Sequence, residues 1–180
     1  ILIAFALFII GFGLVSDRFL SGDNVMTVLR QASIIGVMAL GVTVVVIGGN
    51  LDLSVGSLLS LATVLVVDLH DKIGPGPAIL AMFAAVLAVG AVTGALVGFL
   101  GLNSLIVTLG MLSAIQGLTL IYSGGQNVDV AEQGETWFAF FGRGYVAGIA
   151  TPIVIFLGLA VIYEVVLRRT SYGRRIFAIG

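Results

Sequence analysis

Charge in this chain is confined to five clusters, and the stretches between them are long and apolar. The clusters are Asp17 to Arg30, Asp52 alone, Asp68 to Lys72, Asp129 to Arg143, and Glu164 to Arg175. Uncharged runs fill 1–16, 31–51, 53–67, 73–128 and 144–163. A helix needs about 20 apolar residues to cross the roughly 30 Å hydrocarbon core of a bilayer. The run 73–128 is long enough for two crossings, and Gly101-Leu102-Asn103-Ser104 supplies the turn between them. A soluble domain carries about 25% charged residues, whereas this chain has 9%, with 59% apolar. The pattern predicts an all-α integral membrane protein.

Six spans are expected in one transmembrane domain over 1–180, at about 1–16, 25–47, 53–67, 78–100, 105–122 and 149–167. Runs such as Val42-Thr43-Val44-Val45-Val46-Ile47 do not alternate as barrel strands do. The first run has no basic region before it and a poor cleavage site at Gly13-Leu14-Val15-Ser16, so it reads as the tail of a span rather than a signal peptide. Ile176-Phe177-Ala178-Ile179-Gly180 stops in mid-pattern, so truncation at both ends is expected. Arg168, Arg169, Arg174 and Arg175 follow the last span, whereas 123–148 holds Asp129, Glu132 and Glu135 against Arg143. Positive residues favour the cytoplasmic side, which predicts both ends inside and 123–148 outside.

Several classes of function fall away. The net charge of −1 and scattered basic residues leave no electrostatic footprint for nucleic acid. The absence of cysteine removes disulfides, thiolate zinc sites and thiol nucleophiles. There is no G-x-x-x-x-G-K-[ST] phosphate loop, no Ser/His/Asp set and no H-E-x-x-H. His70, between Asp68 and Asp71, reads as a solvated loop histidine rather than a metal ligand.

The segment Gly48-Gly49-Asn50-Leu51-Asp52-Leu53-Ser54-Val55-Gly56-Ser57 carries the most information. Two glycines break the helix and polar groups follow at once. The third span after it has only fifteen apolar residues, a rise of about 22 Å. Asp52 or Ser54 is expected to cap the new helix. Irregular backbone in a membrane needs protein or water partners, and transporters place broken helices beside their pathways. Asp52 is thus either a cap alone or part of a pathway. Gly90, Gly94 and Gly98 form a ladder suited to close helix packing, internal or between subunits. Trp137, Phe138, Phe140 and Phe141 read as a short interfacial segment, or else as a stacking or docking lip. Gly74-Pro75-Gly76 and Gly142-Arg143-Gly144 are turn signals. After the sixth span, Gly173 is expected to reverse the chain, so that Arg174 to Ile179 begins a short helix offering Ile176, Phe177 and Ile179 to a groove on a partner. Positive-inside anchoring is the alternative for that tail.

The segment 48–57 resembles the G-x-D-L-S-V-G-S signature of the permease subunit in ribose-type bacterial ABC sugar importers, with Leu51 where that family commonly has Ile. Asn24 to Gln31 with Ala39-Leu40-Gly41-Val42-Thr43 is similar to the family's second span, and Ile106-Val107-Thr108-Leu109-Gly110-Met111 to its fifth. The segment from Arg169 to Gly180 resembles its cytoplasmic ATPase-contacting loop. The resemblance implies a multi-pass protein of the bacterial inner membrane, half of a homodimeric pore importing a ribose-like pentose or a hexose. It implies two ATP-binding subunits that hold ATP and Mg, and a periplasmic or lipid-anchored sugar-binding protein. This chain would bind no cofactor and catalyse nothing. It would line or gate the pathway through Gly48, Gly49, Asn50, Asp52, Ser54 and Ser57. It would meet the ATPase through Arg169, Thr170, Gly173, Arg174, Arg175 and Phe177, on a coupling loop at 168–180. A permease for a nucleoside, a signalling furanose or a branched-chain amino acid is the near alternative. A stand-alone secondary carrier or channel is the distant one, weakened because only Asp52 is a candidate intramembrane carboxylate.

Overall fold

The computed structural model describes residues 1–128 and 137–180. Asp129, Glu132 and Glu135, the acidic part of the expected outer loop, lie outside the described residues. The elements run α1 (Leu2–Val15), α2 (Gly22–Ile47), α3 (Val55–Ile73), α4 (Pro75–Gly98), α5 (Ser104–Ser123), α6 (Ala139–Arg143), β1 (Tyr145–Val146), β2 (Ile149–Ala150), α7 (Thr151–Arg169) and α8 (Ser171–Ile179). Among the described residues α2, α4, α5 and α7 are long and apolar enough to cross a membrane. The chain is an all-α multi-span fold apart from the small antiparallel hairpin of β1 and β2.

Local chemistry sets the helix starts. The Ser21 hydroxyl accepts from Asn24 N at 3.4 Å, with Asp23 in the first turn of α2. The Asn103 side chain accepts from Leu105 N and Ile106 N at the head of α5, confirming the turn expected there. Pro75 opens α4 after Gly74, and Pro152 lies in the first turn of α7. Both are positions where a missing N–H costs no helix bond.

The helices pack in two groups. α3 lies against α4 and α5, and α4 touches α5. α2 lies against α7, and α7 against α8. Gly36 permits the closest approach of α2 to α7, since a Cβ there would sit 2.5 Å from the Phe156 ring. The interior is poor in large apolar groups and rich in small hydroxyls: Ser33, Ser57, Thr93, Thr108 and Thr119 are all buried. Ser33, Thr93, Thr108 and Thr119 each donate to the carbonyl four residues earlier, at 2.7–3.0 Å. That satisfies them without a partner helix. Large apolar side chains instead face outward, as with Leu80, Leu87 and Ile121, which are 71%, 69% and 80% exposed. A bilayer covers such a surface; water would not tolerate it.

Three expectations are corrected. First, α3 does not end at Val67 but continues to Ile73, so Asp68–Lys72 is a helical last turn and not a loop. The Lys72 ammonium donates to Asp68 Oδ2 at 2.8 Å one turn back, an arrangement only a helix provides. Second, His70 is not solvated: it is buried, and its Nδ1 lies 2.9 Å from Asp71 Oδ1. Third, the reversal before α8 falls at Thr170, which is extended, and Gly173 lies inside the helix. The aromatic stretch contains the one-turn helix α6, with Trp137 edge-on to Phe138 and Phe141. The hairpin that follows turns at Ala147-Gly148 and was not foreseen.

Candidate functional site

Residues 48–54 do not bend one helix; they terminate α2 and start α3. Gly49 has φ +77°, Gly49 N donates to Val46 O at 3.0 Å, and Asn50 N donates to Val45 O at 3.1 Å. This pair of bonds closes the last turn, with a left-handed glycine directly after the cap. The Asn50 amide donates to Gly48 O at 3.1 Å. Asp52 then fixes the start of α3, accepting at Oδ1 from Ser54 N at 2.8 Å and from the Ser54 hydroxyl at 2.6 Å. Ser54 is fully buried and stands at the N-cap position, yet its own side chain caps nothing. Its carbonyl instead accepts from the Ser57 hydroxyl at 2.8 Å.

Ser104 and Thr108, which sequence reasoning did not place at this site, hold the connection against α5. Leu51 N donates to Ser104 Oγ at 3.2 Å, and the Thr108 hydroxyl lies 3.5 Å from Leu51 O. Ser104 and Thr108 are four residues apart on α5, which is the signal that could have paired them on one face.

α8 closes the same end of the bundle. The Thr170 hydroxyl accepts from Gly173 N at 3.3 Å. Gly173 lies so close to α7 that a Cβ would sit 2.0 Å from Leu167 O. Ile176 is buried inward, whereas Arg174, Arg175 and Phe177 are exposed, as is Arg169 at the end of α7. The sequence offered Ile176, Phe177 and Ile179 together to a partner. The structure separates Ile176 from the other two: it is buried against a cavity of this chain's own, whereas Phe177 and Ile179 are exposed.

That cavity has a volume of about 400 Å³ and is walled by Gly90, Gly94 and Gly98 of α4, Asp52, Thr108 and Ile176. The glycine ladder therefore does not serve close packing among the described residues. A Cβ built at any of the three meets nothing within 4 Å. Within this chain the three glycines line a trough.

The opposite end of the three-helix group is tied differently. The Tyr122 hydroxyl donates to Asp68 Oδ2, joining α5 to α3 beside the Lys72 pair. Hydrogen bonds from Lys72 and then from Tyr122 hold the Asp68 carboxyl below its usual range, and the bond to Asp68 raises Lys72. In α2, the Arg30 guanidinium lies 5.2 Å over the Tyr145 ring. Among the described residues no group of three His, Asp or Glu side chains is placed to hold a metal ion.

Residues 24–180 match the protein family described as the branched-chain amino acid transport system permease component. The chain belongs to this permease family. The permease is 34% identical over 169 residues to the ribose import permease protein RbsC of Bacillus subtilis (strain 168), which covers 93% of this chain and 52% of that protein. It is 33% identical over 157 residues to the fructose import permease protein FruF of Bifidobacterium longum (strain NCC 2705), covering 86% and 44%. It is 32% identical over 168 residues to the D-allose transport system permease protein AlsC of Escherichia coli (strain K12), covering 91% and 50%. The chain thus spans about half the length of these relatives. No solved structure matches the permease.

Proposed function

We propose that this permease is the membrane-spanning part of an ATP-driven importer that carries a monosaccharide into the cytoplasm. The observation that carries the reading is that α8 and the 48–54 connection meet at one end of the bundle, on one cavity. A device that admits solute on an external stroke needs its gate and its point of force in contact. The sugar names of the relatives supply the solute class. In this reading Gly48, Gly49, Asn50, Asp52, Ser54 and Ser57 form the inner gate. Arg169, Arg174, Arg175 and Phe177 face one of two separate ATP-binding subunits, which hold ATP and Mg. A second permease copy completes the pore, and a periplasmic or lipid-anchored binding protein delivers the sugar. A stand-alone ion-driven carrier gains no support, since the Asp52 carboxylate is occupied with Ser54.

The test is uptake of D-ribose, D-fructose, D-allose and leucine by the transport-competent assembly carrying this chain, with Phe177→Asp beside it. Phe177 is 57% exposed on the outer face of α8, so the substitution leaves the fold intact. Loss of both ATPase co-purification and sugar uptake is the expected outcome. Retention of both would remove the coupling role from α8.

Topology follows the same reading. The structure gathers the connections 48–54, 99–103 and the tail 170–180 at one end, and we place that end in the cytoplasm with the arginine-rich tail. In this cysteine-free chain, Ala147→Cys is expected to react with an impermeant thiol reagent in intact cells, while Ser171→Cys is protected. The reverse pattern would invert the orientation.

A further inference from the structure

A second cavity, of about 550 Å³, lies between α3 and α5 toward the end that carries the Asp68–Tyr122 tie. It is within the roughly 300–1,000 Å³ of small-molecule sites. Its polar lining comes from Ser60, Thr63, Gln116, Thr119, Ser123, Gln126 and Asn127, and among the described residues no charged side chain lines it.

The hydrogen-bonding capacity there is of a particular kind. The hydroxyls of Ser60, Thr63 and Thr119 spend their protons on helix carbonyls of Gly56, Leu59 and Ile115, at 3.2, 2.9 and 2.8 Å. Their lone pairs are left to accept. The amides of Gln116, Gln126 and Asn127 bond to none of the described residues, so they both donate and accept. Gln116 is the one amide in α5, a helix apolar enough to cross the membrane. An amide at that depth costs free energy unless something polar meets it.

We propose that this cleft is a transit site for a neutral monosaccharide on the outward side of the pathway. The proposal rests on the importer reading above and gives its solute a place in the fold. Sugar hydroxyls donate to the Ser and Thr lone pairs and accept from the amide N–H groups, and every group in the lining then has a complement. A zwitterionic amino acid would bring a carboxylate and an ammonium into a cleft where the described residues offer no counter-charge, which is expensive in an apolar surround. Asp68, a described carboxylate at this end, is already engaged by Lys72 and Tyr122. The family's description names branched-chain amino acids, for which the described lining is the poorer match.

The experiment uses the transport-competent assembly carrying this chain, in proteoliposomes. Gln116→Leu should lower D-ribose uptake about tenfold through the loss of its bonds to the sugar, and Gln116→Asn should recover part of it. Independently, Thr63→Cys, introduced into an assembly whose other cysteines have been replaced, should react with a small hydrophilic methanethiosulfonate. D-ribose at half-saturation should slow that reaction about twofold, by occupancy alone, and equimolar leucine should not. Wild-type ribose uptake by Gln116→Leu, or a Thr63→Cys rate that ribose leaves unchanged or leucine slows equally, overturns the cleft while the importer reading stands. An unsubstituted assembly that imports leucine and no monosaccharide overturns both.

Discussion

Gly173→Ala in the transport-competent assembly is expected to cut solute uptake at least about tenfold, from an overpacking strain of ~1–3 kcal/mol. Membrane insertion should be unchanged. The methyl group would sit 2.0 Å from Leu167 O, and that atom is backbone, which cannot swing aside as a side chain does. α8 must therefore lift from α7, drawing Ile176 out of the cavity wall that it shares with Asp52. Arg174→Ala, on the exposed face, should alter the rate of partner encounter more than uptake itself. Uptake and protease accessibility of the tail, measured together, check the outcome. Wild-type values for both would show that the contact between α8 and α7 carries no force.

Gly49→Leu is the second large effect, and it should abolish uptake while leaving the protein in the membrane at normal levels. A branched side chain at φ +77° costs about 1–2 kcal/mol, and the bonds closing α2 from Gly49 N and Asn50 N depend on that conformation. A Cβ at this position also meets Gly180 at 3.6 Å, so a longer side chain presses on the end of α8. Asp52→Leu acts on the other side of the same connection, losing both bonds to Ser54 at about 0.5–2 kcal/mol. Asp52→Asn retains an acceptor oxygen and should keep most of the activity. Normal uptake by Gly49→Leu, with α2 labelling unchanged, would mean that the connection does not move during transport.

The four helices long and apolar enough to cross a membrane were legible because each contains a long uncharged run. α2 starts at Gly22 rather than at residue 25 because Ser21 caps it, a signal present in the sequence but overshadowed by the charges beside it. α3 was misjudged at its end for the same cause. A charge cluster reads as a loop, yet Asp68 and Lys72 four apart are equally at home on a helix. Glycine was the most ambiguous letter. At Gly49 it serves conformation; at Gly173 it serves close approach, not a turn; at Gly90, Gly94 and Gly98 it leaves space among the described residues of this chain. A sequence does not distinguish these uses, because each depends on what lies opposite. The cavity joining Asp52, Gly94, Thr108 and Ile176 was invisible for that reason: its walls come from four distant parts of the chain.

The pairing of α2 with α7 also bears on how the protein is made. α3, α4 and α5 follow one another in the chain and find each other as neighbours. α2 has no such neighbour, since Gly36 packs against Phe156 across more than a hundred intervening residues. At a synthesis rate of about 5–20 residues per second, roughly 6–24 s pass between the emergence of the two surfaces. Through that interval the small-residue face of α2 is exposed to lipid and to other nascent segments. Assembly is therefore ordered: the α3–α5 group forms early, α2 waits beside it, and arrival of α7 recruits α2 and positions the tail that becomes α8.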